Sequence, residues 1–465
     1  MNSGGDVRRV TRTCTTPSHP PKVHEEEWQT RTPNLFRGHH RGLCVLFVFV
    51  LIASTFPAAA FASSTTSTVG NSTATQVVET AADLAVTATS GATLARVLMA
   101  ISGFTVKALT MTAKACFGAY VATGALLFAF QRKMLYIPNR DHPPLQDLID
   151  MLYHARYGRH ESPNKNPNPS SSPSSSSSVA TRRRLHEERF ARLEDVAIDT
   201  RDGETIRAYY WPGPEQLLSS SVEATNAAAA AAAAAAAPKL SEVMLLMFHG
   251  NAGNRCDRLL WMDQLRSALG CGICMVDYRG YGGSSGKPSE KGFLEDARAA
   301  DLWLRTRLAK EQGRLNSRIK IVLYGESIGT GVISWLAGHG EEKPDAVILQ
   351  APFTSAADAG QALFPYFPVK ILMRDKFSSI EWCKKWHKDV PACVIHGTQD
   401  EIVPYKLGKE LYDKIPVEDK VMISLQGAHH NDIPEYGIEY LQPLYEFLLK
   451  VDDRARQRID AMRRV

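Results

Sequence analysis

The sequence predicts an α/β protein: an antiparallel hairpin leading into a mostly parallel sheet with helices on both faces. Three observations predict it. Eight short apolar runs of strand length recur between residues 195 and 425. Segments of helical length separate most of them. From the third onward the runs are continuous in apolar character, as strands covered on both faces are.

Taken in order, "DVAIDT" (195–200) and "ETIRAYYW" (204–211) flank Asp202-Gly203, a favourable hairpin turn. "EVMLLMF" (242–248), "GICMVDY" (272–278), "IKIVLY" (319–324), "DAVILQ" (345–350), "ACVIH" (392–396) and "KVMISL" (420–425) are the six buried strands. "EKGFLEDARAADLWLRTRL" (290–308) is the clearest helix between them. Sheets of this kind hold ligand sites at the carboxyl ends of their strands. The residues that follow each run are therefore the candidates for chemistry.

After "EVMLLMF" comes His249-Gly250-Asn251-Ala252-Gly253-Asn254. Small residues there let the backbone approach a ligand and aim amide N–H groups at a developing oxyanion. After "IKIVLY" comes Gly325-Glu326-Ser327-Ile328-Gly329. A nucleophile on a sharp turn between strand and helix needs glycines two residues to either side, because larger residues would clash. Ser327 is then exposed at a helix N-terminus, and the Ile328 N–H can join an oxyanion hole. A serine hydroxyl needs a base. Gly397-Thr398-Gln399-Asp400-Glu401 follows the seventh run, and Asp400 is placed to orient an imidazole. Gly427-Ala428-His429-His430-Asn431-Asp432 follows the eighth, and one of the two histidines is the base. The chain order Ser, Asp, His is the order this chemistry takes on such a sheet.

As a set, "FHGNAGN", "VDYRGYGGSSGKPSE", "LYGESIGTG", "HGTQDEIVP" and "GAHHNDI" resemble the α/β-hydrolases across residues 195–450. More closely, the sequence is similar to the membrane-associated serine hydrolases of the α/β-hydrolase-domain group, which includes protein depalmitoylases and their single-span relatives. "FQRKMLYIPN" (130–139) resembles the membrane-exit segment of the anchored relatives. The resemblance implies Ser327 as nucleophile, Asp400 as orienter and His430 as base, since the family's catalytic histidine directly precedes Asn-Asp. It implies the N–H groups of Asn251 and Ile328 as oxyanion donors. The depalmitoylases of this group are anchored through a cysteine-rich N-terminus. This chain has only Cys14 and Cys44 there and carries apolar runs instead, which favours the single-span branch.

Organisation outside the hydrolase block (190–455) follows from composition. Residues 1–42 are expected to be disordered. Residues 43–61 are apolar for about the thickness of a bilayer core, preceded by Arg37 and Arg41, and are expected as a transmembrane or signal-anchor segment. A polar linker is expected over 62–114. A second apolar run between Lys114 and Arg132 is expected as a transmembrane helix over 115–131. If both runs span, the block lies on the same side as the N-terminus, the cytosolic side by the positive-inside tendency. Residues 157–185 read as a Ser/Pro-rich linker, and 218–238, with eleven consecutive alanines, as a surface insertion.

The net charge of +5 over 465 residues, without interleaved aromatics, gives no nucleic-acid signature. Cys271 and Cys274 have Cys-x-x-Cys spacing, but lie in and beside an apolar strand with no second pair, and are expected as buried free thiols. The chemistry calls for no cofactor and no metal. His429 and His430 are adjacent and cannot share one helical face. The partners expected are the lipid bilayer and an acylated protein or lipid substrate. The reaction expected is hydrolysis of an acyl ester or thioester through an acyl-enzyme. A peptidase of the same fold and a silent membrane scaffold are the competing readings. Residues 353–390 are where such enzymes insert a lid. Here the insertion is short and carries the apolar stretch "LFPYFPVKILM" (363–373).

Overall fold

The computed structural model describes residues 91–157, 174–213, 240–312 and 319–452. The chain divides into two compact units. One, Met1–Ser63 with His154–Pro163, lies almost wholly outside the described residues; the other, Ser64–Tyr153 with Asn164–Val465, holds everything below except the end of one helix, from His154 to Tyr157. The apolar run at 43–61, the N-terminal 42 residues and the Ala-rich insertion at 218–238 lie outside the described residues.

Helix α1 (Gly91–Leu135) is 45 residues long. It contains no proline and is rich in Ala, Leu and Met, so nothing in its sequence breaks it. The expected linker at 62–114 is therefore helical from residue 91, and the expected span at 115–131 is the last part of this longer helix. Leu109–Leu135 is long and apolar enough to cross a membrane, and none of its most apolar window is buried. The chain leaves α1 through a two-residue strand β1 (Ile137–Pro138) and helix α2 (Leu145–Tyr157). Helix α3 (Ser174–Phe190) begins inside the expected Ser/Pro linker, so that linker ends before residue 185. Its last two turns carry Arg183–Glu187 and Arg184–Glu188 pairs at i,i+4 spacing. Phe190 also stacks on Trp211, with ring centroids 4.9 Å apart.

The hairpin is β2 (Glu194–Asp199) and β3 (Thr205–Trp211). The rest of the sheet is β4 (Val243–Phe248), β6 (Gly272–Asp277), β7 (Lys320–Glu326), β8 (Ala346–Gln350), β9 (Ala392–Gly397) and β10 (Lys420–Leu425). A short β5 (Ala252–Gly253) pairs with β1 outside this sheet. Among the described residues the main sheet has eight strands in the order β10-β9-β8-β7-β4-β6-β3-β2. The pairs β2·β3 and β3·β6 are antiparallel and the others parallel. Each of the eight predicted runs is thus a strand, within two residues at either end.

The pleat divides the core in two. Met244, Leu246, Phe248, Leu323 and Val347 point to one face, where helices α5 (Glu290–Gln312) and α6 (Ile328–His339) cover them with Phe293, Ala297, Leu304, Val332 and Leu336. Leu245, Met247, Ile273, Val322 and Ile348 point to the other. There α4 (Leu259–Leu269) brings Met262 and Leu265. Between β8 and β9 lie three short helices, α7 (Ala356–Leu363), α8 (Val369–Leu372) and α9 (Ser379–Trp382). Helix α10 (Tyr405–Lys414) joins β9 to β10, and α11 (Ile438–Leu449) follows β10, adding Leu444 and Phe447 to the second face. That second core also takes Leu148 and Ile149 from α2, so the compact body begins well before residue 190. Cys271 and Cys274 are buried and unpaired, and burial pushes both thiols up to about 12.

Candidate active site

The loops after β4, β7, β9 and β10 open on one rim of the sheet, because these four strands run parallel. Ser327 sits between β7 and α6 at φ 52°, ψ −115°, in the left-handed region that strains a residue with a Cβ. Hydrogen bonds hold it there. Its N–H donates to Gln350 O at 2.9 Å, and its carbonyl accepts from Thr330 N at 2.9 Å and Thr330 Oγ1 at 2.6 Å. The flanking glycines are sterically required. A Cβ on Gly329 would stand 2.2 Å from Phe248 O, and one on Gly325 would stand 2.6 Å from Gly329 O.

Ser327 Oγ lies 3.0 Å from His430 Nε2, and His430 Nδ1 lies 2.7 Å from Asp400 Oδ2. A carboxylate can only accept, so Nδ1 carries the proton toward Asp400 and Nε2 offers its lone pair to the Ser327 hydroxyl. The other carboxylate oxygen, Oδ1, accepts from the N–H groups of Ile402 (2.9 Å) and Val403 (2.7 Å). Burial works to raise the Asp400 carboxyl, but contacts with His396 and His430 outweigh it and hold the group well below the ordinary carboxylate range. The structure therefore brings Ser327, Asp400 and His430 together. Glu401 and His429 form an exposed pair of their own at 3.0 Å, one residue along each loop. The two loops meet closely, since a Cβ on Gly397 would fall 2.3 Å from Ala428 O. Hydrogen bonds from Gln399 N to Ala428 O and from Gly427 N to Thr398 Oγ1, both 2.9 Å, join them.

The loop after β4 packs against the turn that carries Ser327, since a Cβ on Gly250 would stand 3.0 Å from Glu326 Oε1 and one on Gly329 would stand 3.1 Å from His249 O. Its polar main-chain groups are mostly taken: His249 O accepts from Tyr278 Oη at 2.9 Å, and Gly250 O from His249 Nδ1 at 2.7 Å. Asn251 O accepts from Tyr281 Oη at 2.8 Å and from Ile137 N at 3.0 Å. The N–H groups of Asn251 and Ile328 find no acceptor among the described residues. Two unpaired amides beside a serine hydroxyl are suited to receive a negatively charged oxygen.

Sequence reasoning missed two groups here. His396 is fully buried; its Nε2 lies 2.9 Å from Val403 O and 3.3 Å from Asp400 Oδ2. It stands just before Gly397, and only that adjacency could have suggested it. Arg258 reaches back to Glu326, the residue before the serine, with contacts of 3.1 and 3.3 Å. Burial would raise the Glu326 carboxyl, but the Arg258 guanidinium overrides it and holds it below its ordinary value. No motif marks Arg258 in the sequence.

The family described as alpha/beta hydrolase fold matches residues 243–377. An uncharacterized protein of Mycobacterium tuberculosis is 33% identical over 238 residues, which is 51% of this chain and 72% of that one. Human alpha/beta hydrolase domain-containing protein 17B is 37% identical over 206 residues, covering 44% of this chain and 65% of its own length. The mouse 17C protein is 39% identical over 210 residues, with 45% and 60% covered. The chain thus spans less than two-thirds of these last two relatives. Among solved structures, an esterase of Pyrococcus furiosus superposes with a TM-score of 0.41 at 17% identity, covering 57% of this chain and 93% of that one. With the sheet order, the serine at the strand–helix turn and relatives a third identical to it, the chain belongs to the α/β-hydrolase family.

Proposed function

We propose that the protein is a membrane-anchored serine hydrolase that cleaves acyl esters or thioesters, taking an acylated protein or a lipid as substrate. The observation that carries this reading is the row Ser327–His430–Asp400, at 3.0 and 2.7 Å, facing two unpaired amides. In the mechanism, His430 Nε2 takes the Ser327 proton as Oγ attacks the acyl carbonyl. Asp400 stabilises the imidazolium. The Asn251 and Ile328 N–H groups hold the oxyanion, each typically worth about 3 kcal/mol. The leaving alcohol or thiol departs with the proton from His430, and an acyl-enzyme remains. Water, deprotonated by His430, then releases the acid and restores Ser327.

The anchor is Leu109–Leu135, long and apolar enough to span, with Arg132 and Lys133 at its exit. Basic residues at that end support a cytosolic position for the hydrolase unit, on an endomembrane or the plasma membrane. Exposed apolar residues on the segment between β8 and β9, Leu363, Tyr366 and Ile371, suit an acyl substrate or a bilayer surface.

A fluorophosphonate probe tests the chemistry. The wild type should label, and Ser327→Ala should not. Equal labelling of the two proteins, or none of either, would refute it and leave the silent scaffold. Turnover of long-chain thioesters and monoacylglycerols tests the substrate class, and activity confined to short soluble esters would count against it.

A further inference from the structure

The chain that leaves α1 is built into the loop after β4, which packs against the turn that carries Ser327. Ile137 N donates to Asn251 O at 3.0 Å, and Asn251 Nδ2 donates to Leu135 O at 3.0 Å. Asn139 N donates to Gly253 O at 3.3 Å. Asn254 Nδ2 returns to Asn139 O at 3.1 Å and to Asp141 O at 2.6 Å. Ile137 and Pro138 pair in parallel register with Ala252 and Gly253. A loop of small residues such as Gly250-Asn251-Ala252-Gly253 has little side-chain packing to fix it, and Gly253 stands at φ 78°. Its conformation must come from hydrogen bonds.

We propose that Leu135–Asp141 is a brace that sets the Asn251 amide for catalysis, so that the exit from the apolar helix is a positioning element of the reaction. The argument is one of peptide planes. The Asn251 N–H shares a plane with Gly250 C=O, which His249 Nδ1 holds. The next plane, Asn251 C=O, is held by Ile137 N from the brace and by Tyr281 Oη. Fixing both planes fixes the two dihedrals of Asn251, and its side chain adds a third tie to Leu135 O. Without the brace each plane keeps a single anchor, His249 Nδ1 on one and Tyr281 Oη on the other, and the hold on the amide's direction loosens. The inference rests on Asn251 N–H being an oxyanion donor.

The test uses the full chain in detergent micelles. Asn251→Leu keeps the backbone amide and near-equal size but removes the tie to Leu135 O. Asn254→Leu independently removes the ties to Asn139 O and Asp141 O. Rates are counted per fluorophosphonate-labelled serine, so a misfolded fraction does not enter. Full removal of an oxyanion donor costs 10²–10³ in kcat, so loosening one should cost about 10–100-fold. The expected result is that loss in kcat with KM within about twofold, and a parallel loss of affinity for a trifluoromethyl ketone that forms a tetrahedral adduct. Labelling of Ser327 still goes to completion. Wild-type kcat and inhibitor affinity per labelled serine in either variant would overturn the brace, as would a lowered Tm with both values intact. If the wild type neither labels nor hydrolyses, the hydrolase reading itself fails and takes the brace with it.

Discussion

Gly329 shows how closely the site is fitted at the level of single residues. With a Cβ position 2.2 Å from Phe248 O, Gly329→Ala must push the turn away from β4. The expected cost is about 1–3 kcal/mol or more by urea denaturation, with loss of fluorophosphonate labelling. Asp400 gives a second prediction. Because its carboxyl lies below the ordinary range, it keeps its charge in the folded state to a lower pH than in the unfolded chain. Its stabilising contribution is complete above about pH 4 and is lost as pH falls below that. Asp400→Asn should flatten the acid arm of the stability–pH curve, read from urea midpoints, and lower kcat by about 10³–10⁴. The residues of the row were legible because each follows a buried strand and belongs to a local word: Gly-x-Ser-x-Gly, the aspartate loop, the His-Asn-Asp. The choice of His430 over His429 came from family resemblance; in the structure it is His430 that stands beside Ser327 and Asp400. His396 and Arg258 were illegible because one meets a backbone atom, Val403 O, and the other meets Glu326 far along the chain, and no sequence pattern names either partner.

Among the elements, the contact between α1 and the segment after β8 is the one the sequence did not suggest. Tyr120 stacks on Phe367 at 5.0 Å and its hydroxyl donates to Tyr366 O at 2.8 Å. Gln131 Oε1 accepts from Arg374 N at 2.7 Å. Arg132 makes a two-pronged contact with Asp375 at 2.6 and 2.9 Å. Asp375 is buried, whereas Arg132 is half exposed. Arg132→Ala would leave a buried carboxylate without its cation. Solvent reaches the pair from the Arg132 side, so the expected loss is about 1–2 kcal/mol, read as a lowered Tm, rather than the full cost of a broken buried pair. The helical stretch of α1 before residue 115 was illegible for a different reason. Thr, Ser and Lys interrupt its apolar pattern, and a polar helix is told from a linker by little except the absence of proline.

Across the whole molecule, the strands were nearly all readable because both faces of the sheet are covered and apolar runs then have one explanation. The extent of the folded body was not. Tyr136, Leu148, Ile149 and Tyr153 are buried, although they lie far before the first strand of the main sheet in sequence. A protein started at residue 190 should therefore expose the faces of Tyr209, Trp211 and Ile273 and be less soluble and less stable than one that keeps α1 to α3, as scanning calorimetry and sedimentation would show. The antiparallel course of β3 has a further consequence. Trp211 pairs with Ile273 at the start of β6, so the chain departs toward the end of the sheet opposite Ser327. It re-enters at Leu240, whose N–H donates to Leu269 O, just ahead of β4. Removing 218–238 should leave labelling of Ser327 within about twofold. The back of the sheet is thus a service port: a fluorescent reporter spliced there would travel with the enzyme and leave its working side undisturbed.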